Sequence, residues 1–136
     1  MTHQRIRPYQ HSLNHDGEDF EYELCMAVKV GNRIWLRGQT GLDFDGNFVG
    51  EGDVAAQAEN AMHCSDVLLR EAGSSLSDVL KTTIYLTDRD FRVPVFRVLA
   101  KWFGSTRPCQ TGLIVNGLAR PEMQMEIDIE AVIAED

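Results

Sequence analysis

The sequence predicts one α+β domain, and three observations carry that reading: a tight-hairpin signal at Gly31-Asn32, two segments with apolar residues at helical spacing, and a closing strand that alternates without a break. At 136 residues the chain is long enough to bury one core and too short for two ordinary domains. No internal repeat, low-complexity tract or interdomain linker interrupts it.

Taken in order, the first twenty residues are polar and lack periodicity, with His11, Asn14, His15, Asp16, Gly17 and Glu18 among them. They read as an arm or loop ahead of a single domain over residues 21–136. Leu24 to Val30 and Arg33 to Gln39 are strands joined by Gly31-Asn32, two residues that tolerate positive φ as a tight hairpin requires. Asp43-Phe44-Asp45-Gly46 lacks the third acidic position and the spaced glutamate of a calcium loop, so Asp45-Gly46 reads as a turn. Asp53 can accept hydrogen bonds from the first free amides of a helix that carries Val54, Ala58, Ala61, Ser65, Leu68 and Ala72 on one side and stops at Gly73.

Ser75, with Asp78 three residues on, is placed to cap a short helical turn, and Val79 to Thr87 is rich in β-branched residues and reads as a strand. A second helix starts near Asp90, whose carboxylate can cap it. Pro94 is tolerated there because it falls in the first turn, and Val95, Phe96, Leu99, Trp102 and Phe103 form the apolar stripe that ends at Gly104. In the last strand Met123, Met125, Ile127, Ile129, Ala131 and Ile133 take one face and Gln124, Glu126, Asp128 and Glu130 the other. Neighbouring carboxylates on that face stand about 6.5 to 7 Å apart. Such a row is ordinarily a solvated outer face.

Composition excludes several classes of function. A net charge of −8 and a pI near 4.9, with no cluster of Lys and Arg, repel a phosphate backbone, so nucleic acid is not an expected partner. No apolar run approaches a membrane span and the first residues lack the core of a secretion signal, which gives the cytoplasm as the expected location and no membrane partner. Cys25, Cys64 and Cys109 are odd in number and without C-x-x-C spacing, so neither disulfides nor a zinc site is encoded. His11 and His15 have helical ligand spacing in a segment without a helix pattern, and His63 and Cys64 fall in mid-helix. No metal or cofactor is expected. Cys109 has no nearby histidine or orienting group to make it a nucleophile.

The segment from Ala72 to Asp88, together with Ala27-Val28-Lys29-Val30-Gly31-Asn32, Gly38-Gln39-Thr40-Gly41-Leu42-Asp43, Phe103-Gly104, Arg107-Pro108 and the last strand, closely resembles the Rid (YjgF) family of imine and enamine deaminases. The resemblance implies a chorismate-mutase-like sheet with two helices packed on one face, assembled as a homotrimer with small-molecule clefts between subunits. It also implies that an acid on the last strand positions or activates the water that attacks an imine carbon. Glu126 matches that acid by its spacing from Pro108, and a slip of two residues would give Asp128 instead.

The chain departs from the family at the cleft. The family's substrate-binding arginine, two residues after the proline, is Gln110 here, next to Cys109. An amide cannot reproduce the arginine's paired, charge-assisted grip on a carboxylate, so the usual 2-imino acids are not the expected substrates. Leu24 stands where the family has a tyrosine, Arg37 where it has a small serine before Gly38, and Phe96 near its helix asparagine. Arg37 either returns the missing cation to the ligand or pairs with Glu126 or Asp128, and both readings stand. The expected function is therefore a divergent, metal-free hydrolase of a small imine, enamine or related nitrogen compound, with Glu126 handling water and Leu24, Arg37, Gly38, Phe96, Cys109, Gln110 and Asp128 around the ligand. The alternatives are a non-catalytic binding or sensing protein that uses the same cleft, and a protein-interaction module marked by exposed apolar surface.

Overall fold

Strand β6 (Met125–Val132) organises the fold, because its alternation gives each face a different use: Met125, Ile127, Ile129 and Ala131 are at most 2% exposed, while the intervening polar residues remain half-buried. The computed structural model describes residues 3–15 and 17–134, the side chains of 14 and 15 excepted, so the His15 side chain considered above lies outside the described residues. Among the described residues six strands form one mixed sheet in the order β1-β2-β3-β6-β4-β5. These are β1 (His3–His15), β2 (Glu18–Val30), β3 (Arg33–Leu36), β4 (Val79–Leu86) and β5 (Cys109–Ile114) with β6 between β3 and β4. Only β4 and β5 run parallel.

Two helices pack on the apolar side. Helix α1 (Val54–Glu71) is capped by Asp53, whose carboxylate accepts from the amide of Ala56, and buries Ala58, Ala61, Met62, Ser65, Leu68 and Leu69. Helix α2 (Arg92–Phe103) buries Val95, Val98, Leu99 and Phe103. Its start differs from the expectation. Asp88, not Asp90, supplies the capping carboxylate, accepting from the amide of Asp90 and so closing a short 3-10 turn over Arg89–Phe91 that leads into α2. Likewise the Ser75 hydroxyl meets Ser77 and Asp78 side chains rather than capping backbone amides.

The predicted turn at Gly31 holds, with Gly31 at φ 59° and Asn32 outside the left-handed region, so the hairpin needs one such residue rather than two. The predicted turn at Gly46 is tied down by Asp43, whose carboxylate accepts from the amides of Asp45 and Asn47. The second predicted strand stops at Leu36, beyond which the chain keeps only a bridge between Gln39 and Ile127.

The polar first twenty residues read as an arm or loop in sequence, whereas in the structure they are largely strand. β1 pairs along its length with β2, Tyr9 opposite Leu24 and Leu13 opposite Phe20. Their polarity hid this because β3 covers β2 only from Ala27 to Val30, so the far part of the ribbon projects past the sheet and needs no apolar face. Leu13, Phe20 and Tyr22 are 46%, 57% and 39% exposed on it.

Candidate functional site

On the side of the sheet away from the helices, the acid row of β6 lies beside the polar positions of β4. Register pairs Glu126 with Tyr85, Asp128 with Thr83 and Glu130 with Lys81. Two of the acids have donors of their own: the Trp35 indole donates to Glu130 at 3.0 Å and the Tyr85 phenol donates to Asp128 at 2.8 Å. Glu126 accepts no hydrogen bond among the described residues. Burial first, and then the adjacent Asp128 carboxylate, raise its proton affinity above that of an ordinary glutamic acid, while Arg37 offsets part of the rise.

Gly38 makes this arrangement possible. A β-carbon there would lie 2.8 Å from both Asp128 Oδ1 and the Glu126 carboxyl carbon, so the two acids occupy the space a side chain would need. The backbone at Gly38 is thus approached closely by the protein's own carboxylates. Arg37 precedes it, anchored by its amide to the Met26 carbonyl at 2.8 Å. Its guanidinium lies 5.3 Å from the centre of the Tyr9 ring and forms no ion pair with Glu126 or Asp128 among the described residues.

Tyr9, Met26, Arg37, Gly38, Leu42 and Phe44 line a hollow of about 310 Å³ between the N-terminal ribbon and the loop after β3. Leu24 and Arg37 share a neighbouring hollow with Trp35. Phe96 and Gln110 line a third with Phe103 and Pro108. Gln110 is paired with the fully buried Thr82, whose hydroxyl stands 3.4 Å from Gln110 Oε1, which puts Gln110 on the helix side of β5. Cys109 is exposed and paired with Lys81 on the other side. One chain therefore groups Glu126, Asp128, Gly38 and Arg37, and separately Phe96 and Gln110, and does not bring the Pro108-Cys109-Gln110 corner to Glu126.

Tyr85 and Tyr9 escaped the sequence reading. The polar set Lys81, Thr83, Tyr85 at period two could have revealed the first. Tyr9 carried no local signal, since only its register opposite Leu24 brings it to the site. Among the described residues no three His, Cys, Asp or Glu side chains gather to hold a metal, and no helix is long and apolar enough to cross a membrane.

Comparison with known proteins gives a family model, endoribonuclease L-PSP, that matches residues 21–133. A RutC family protein of Pyrococcus abyssi is 32% identical over 78% of this chain and 81% of its own length. The 3-aminoacrylate deaminase RutC of Acinetobacter baylyi is 33% identical over 74% of this chain and 79% of its own, and the human 2-iminobutanoate/2-iminopropanoate deaminase 33% identical over 78% and 75%. Among solved structures, Rv2704 of Mycobacterium tuberculosis, described as a member of the YjgF/YER057c/UK114 family, superposes with a TM-score of 0.72 at 33% identity, covering 80% of this chain and 86% of that one.

Proposed function

Because this chain belongs to the endoribonuclease L-PSP family, which includes YjgF and RutC proteins, we propose that it hydrolyses the C–N bond of a small imine or enamine, with Glu126 as the group that handles water. The observation that carries this is Glu126 itself: a half-buried carboxylate of raised proton affinity, without a hydrogen-bond donor among the described residues, packed into the room that Gly38 leaves by having no side chain. An acid so placed can take a proton from water as the oxygen attacks the imine carbon. That proton passes to nitrogen to give a carbinolamine; the carboxylate then takes the hydroxyl proton and returns it to the amine, so that the C=O bond forms as the C–N bond breaks, giving a carbonyl compound and ammonia.

The reaction site is proposed to lie in a cleft shared between subunits of a homotrimer. Support comes from β5, whose six residues are all exposed in the single chain, Leu113 and Ile114 at 43% and 40%. An edge strand bare on both faces is a surface for a second copy. In such an assembly the Gln110 corner of one protomer would face Glu126 of another, which a single chain keeps apart. We place the trimer in the cytoplasm with a small-molecule ligand. Although the family is called endoribonuclease, a net charge of −8 argues against an RNA substrate.

The test is ammonia release from imines generated in solution, from enamines and from acylated amines. Wild-type turnover with a drop of roughly a hundredfold or more in Glu126→Gln is expected. Absence of ammonia from the whole panel would overturn hydrolysis. The second reading, binding without turnover, is favoured by the neutral Gln110, and a metabolite that copurifies and survives incubation unchanged would establish it.

A further inference from the structure

The N-terminal strand lies ahead of the matched family segment, which begins at residue 21, yet it reaches the site: Tyr9 lies opposite Leu24 and its ring lies beneath the Arg37 guanidinium. We propose that Tyr9 and Arg37 together form a site for a monocarboxylate with a short apolar tail, so that this chain binds the acid group with a β1 residue and the residue that follows β3 rather than at the Gln110 corner.

Three observations point to this chemistry. First, the Arg37 fork is unspent: among the described residues it makes no ion pair and no side-chain hydrogen bond, although a guanidinium carries five donors. The Tyr9 ring holds it against the hollow as a cation over an aromatic face, which restricts the long side chain before a ligand arrives. By contrast Arg7, the other cation lining the hollow, is committed to Glu71 through two contacts of 2.9 and 3.0 Å from Nε.

Second, the Tyr9 hydroxyl is buried without a hydrogen-bond partner, alone in this among the described residues. Buried hydroxyls are normally partnered, and an orphan one on a residue that lines the hollow is a donor left for something the hollow receives. Burial also raises the phenol's proton affinity, which keeps the donor proton on it at neutral pH. Third, the rest of the lining suits a tail and not a second charge. Met26, Leu42 and Phe44 are apolar, and the polar side chains beside them are engaged within the protein: Asp43, also in the lining, accepts from the amides of Asp45 and Asn47, Thr40 accepts from the amide of Leu42, and Gln39 donates to the Arg37 carbonyl. At about 310 Å³ the hollow has room for a short acid.

The site stands on this geometry, and it rests on the hydrolase reading only where it names the substrate class: an imine or enamine that bears a carboxylate. Carboxylate capture would then have moved from the family's arginine position to Arg37 rather than been lost.

The experiment is calorimetric titration of the full chain with butyrate and with its neutral isostere butyramide. Butyrate should bind roughly tenfold or more tightly than butyramide. Arg37→Gln should erase the preference. Arg37→Lys, which keeps the charge without the fork, should retain part of it. Tyr9→Phe, which keeps the ring and removes the hydroxyl, should weaken butyrate by about three- to tenfold and leave butyramide unchanged. Equal binding of acid and amide by the wild-type protein, a comparison that needs no variant to fold, overturns the site, as does an unchanged preference in Arg37→Gln. Wild-type affinity in Tyr9→Phe overturns the two-donor arrangement. Preference for butyrate without ammonia release from any imine would refute hydrolysis and support this site, whereas ammonia release with acid and amide bound equally would do the reverse.

Discussion

Tyr85 donates its phenol to Asp128 at 2.8 Å, and this bond separates the roles of two acids two residues apart on one strand face. Asp128 is held by a donor from β4, and Glu126 is left with burial, a neighbouring negative charge and the more distant Arg37. The same carboxylate row thus contains a fixed member and one available to exchange a proton. The Tyr85 phenol in turn holds its own proton more firmly, chiefly because it is bonded to Asp128, so the bond persists through neutral pH.

The pH dependence of stability follows from Glu126. Its folded proton affinity lies above the ordinary value of 4.5, so protonation favours the folded state. That contribution is complete below the unfolded value and is lost as pH rises through the folded one. At neutral pH the charged Glu126 therefore weighs against folding, and Glu126→Gln removes the burden. Thermal unfolding should show Glu126→Gln melting above wild type at about pH 7, the gap closing toward about pH 4. A gap that widens on acidification would contradict the assignment. Turnover should fall in the same acid range, because a protonated Glu126 cannot accept the water's proton.

Gly38→Ala tests the packing of the acids. The added methyl would meet Asp128 Oδ1 and the Glu126 carboxyl carbon at 2.8 Å, so the side chains must shift or the strand must bend. A destabilisation of about 1–3 kcal/mol is expected, measured by denaturant unfolding, with loss of any Glu126-dependent turnover. Wild-type stability and turnover would show that the acids move freely.

Gln57 supports the site from beneath. It is fully buried on α1, shares the two N–H donors of Nε2 among the carbonyls of Gly50 and Glu122 and Gln124 Oε1 at 2.9, 3.1 and 3.0 Å, and accepts from the Gln124 amide at 2.9 Å. It ties the first turn of α1 to the segment that leads into β6. Gln57→Leu leaves those groups buried and unpaired, and a loss of about 2–4 kcal/mol is expected in denaturant unfolding. A loss under about 0.5 kcal/mol would mean that water replaces the amide.

The parts of this molecule legible in the sequence are those where one segment's pattern suffices. The alternation from Met123 to Ile133 gave β6 and its acid row, Asp53 and Gly73 gave the ends of α1, and Gly31 gave the hairpin. The unread parts depend on pairing. β1 has no apolar periodicity, because its far portion faces no core, so its strand character appears only when Tyr9 lies opposite Leu24. Asp90 caps nothing because a 3-10 turn, capped by Asp88, precedes α2, which itself has no side-chain cap, and spacing alone does not distinguish that turn from the helix's own first turn. Gln110 and Glu126 are each on a readable strand, but which side of β5 Gln110 takes is fixed by its register with Thr82.

Arg7 anchors the ribbon that carries Tyr9. Its guanidinium grips both carboxylate oxygens of Glu71 at the end of α1 and stacks 4.0 Å from the centre of the Phe44 ring, from a backbone position at φ 49°. Both ion-pair partners are more than a third exposed, so the pair itself contributes no more than about 1 kcal/mol. Yet a two-stranded ribbon without a covering layer is marginally stable, and local opening depends on such an anchor. Arg7→Ala, which keeps a non-glycine residue at the positive φ, should leave the melting temperature nearly unchanged and speed amide exchange in β1 by about fivefold. It should also weaken butyrate binding in step, since a ribbon that opens takes Tyr9 away from Arg37. Unchanged exchange in β1, or a fall in melting temperature as large as that of a core variant, would show that the ribbon is held some other way.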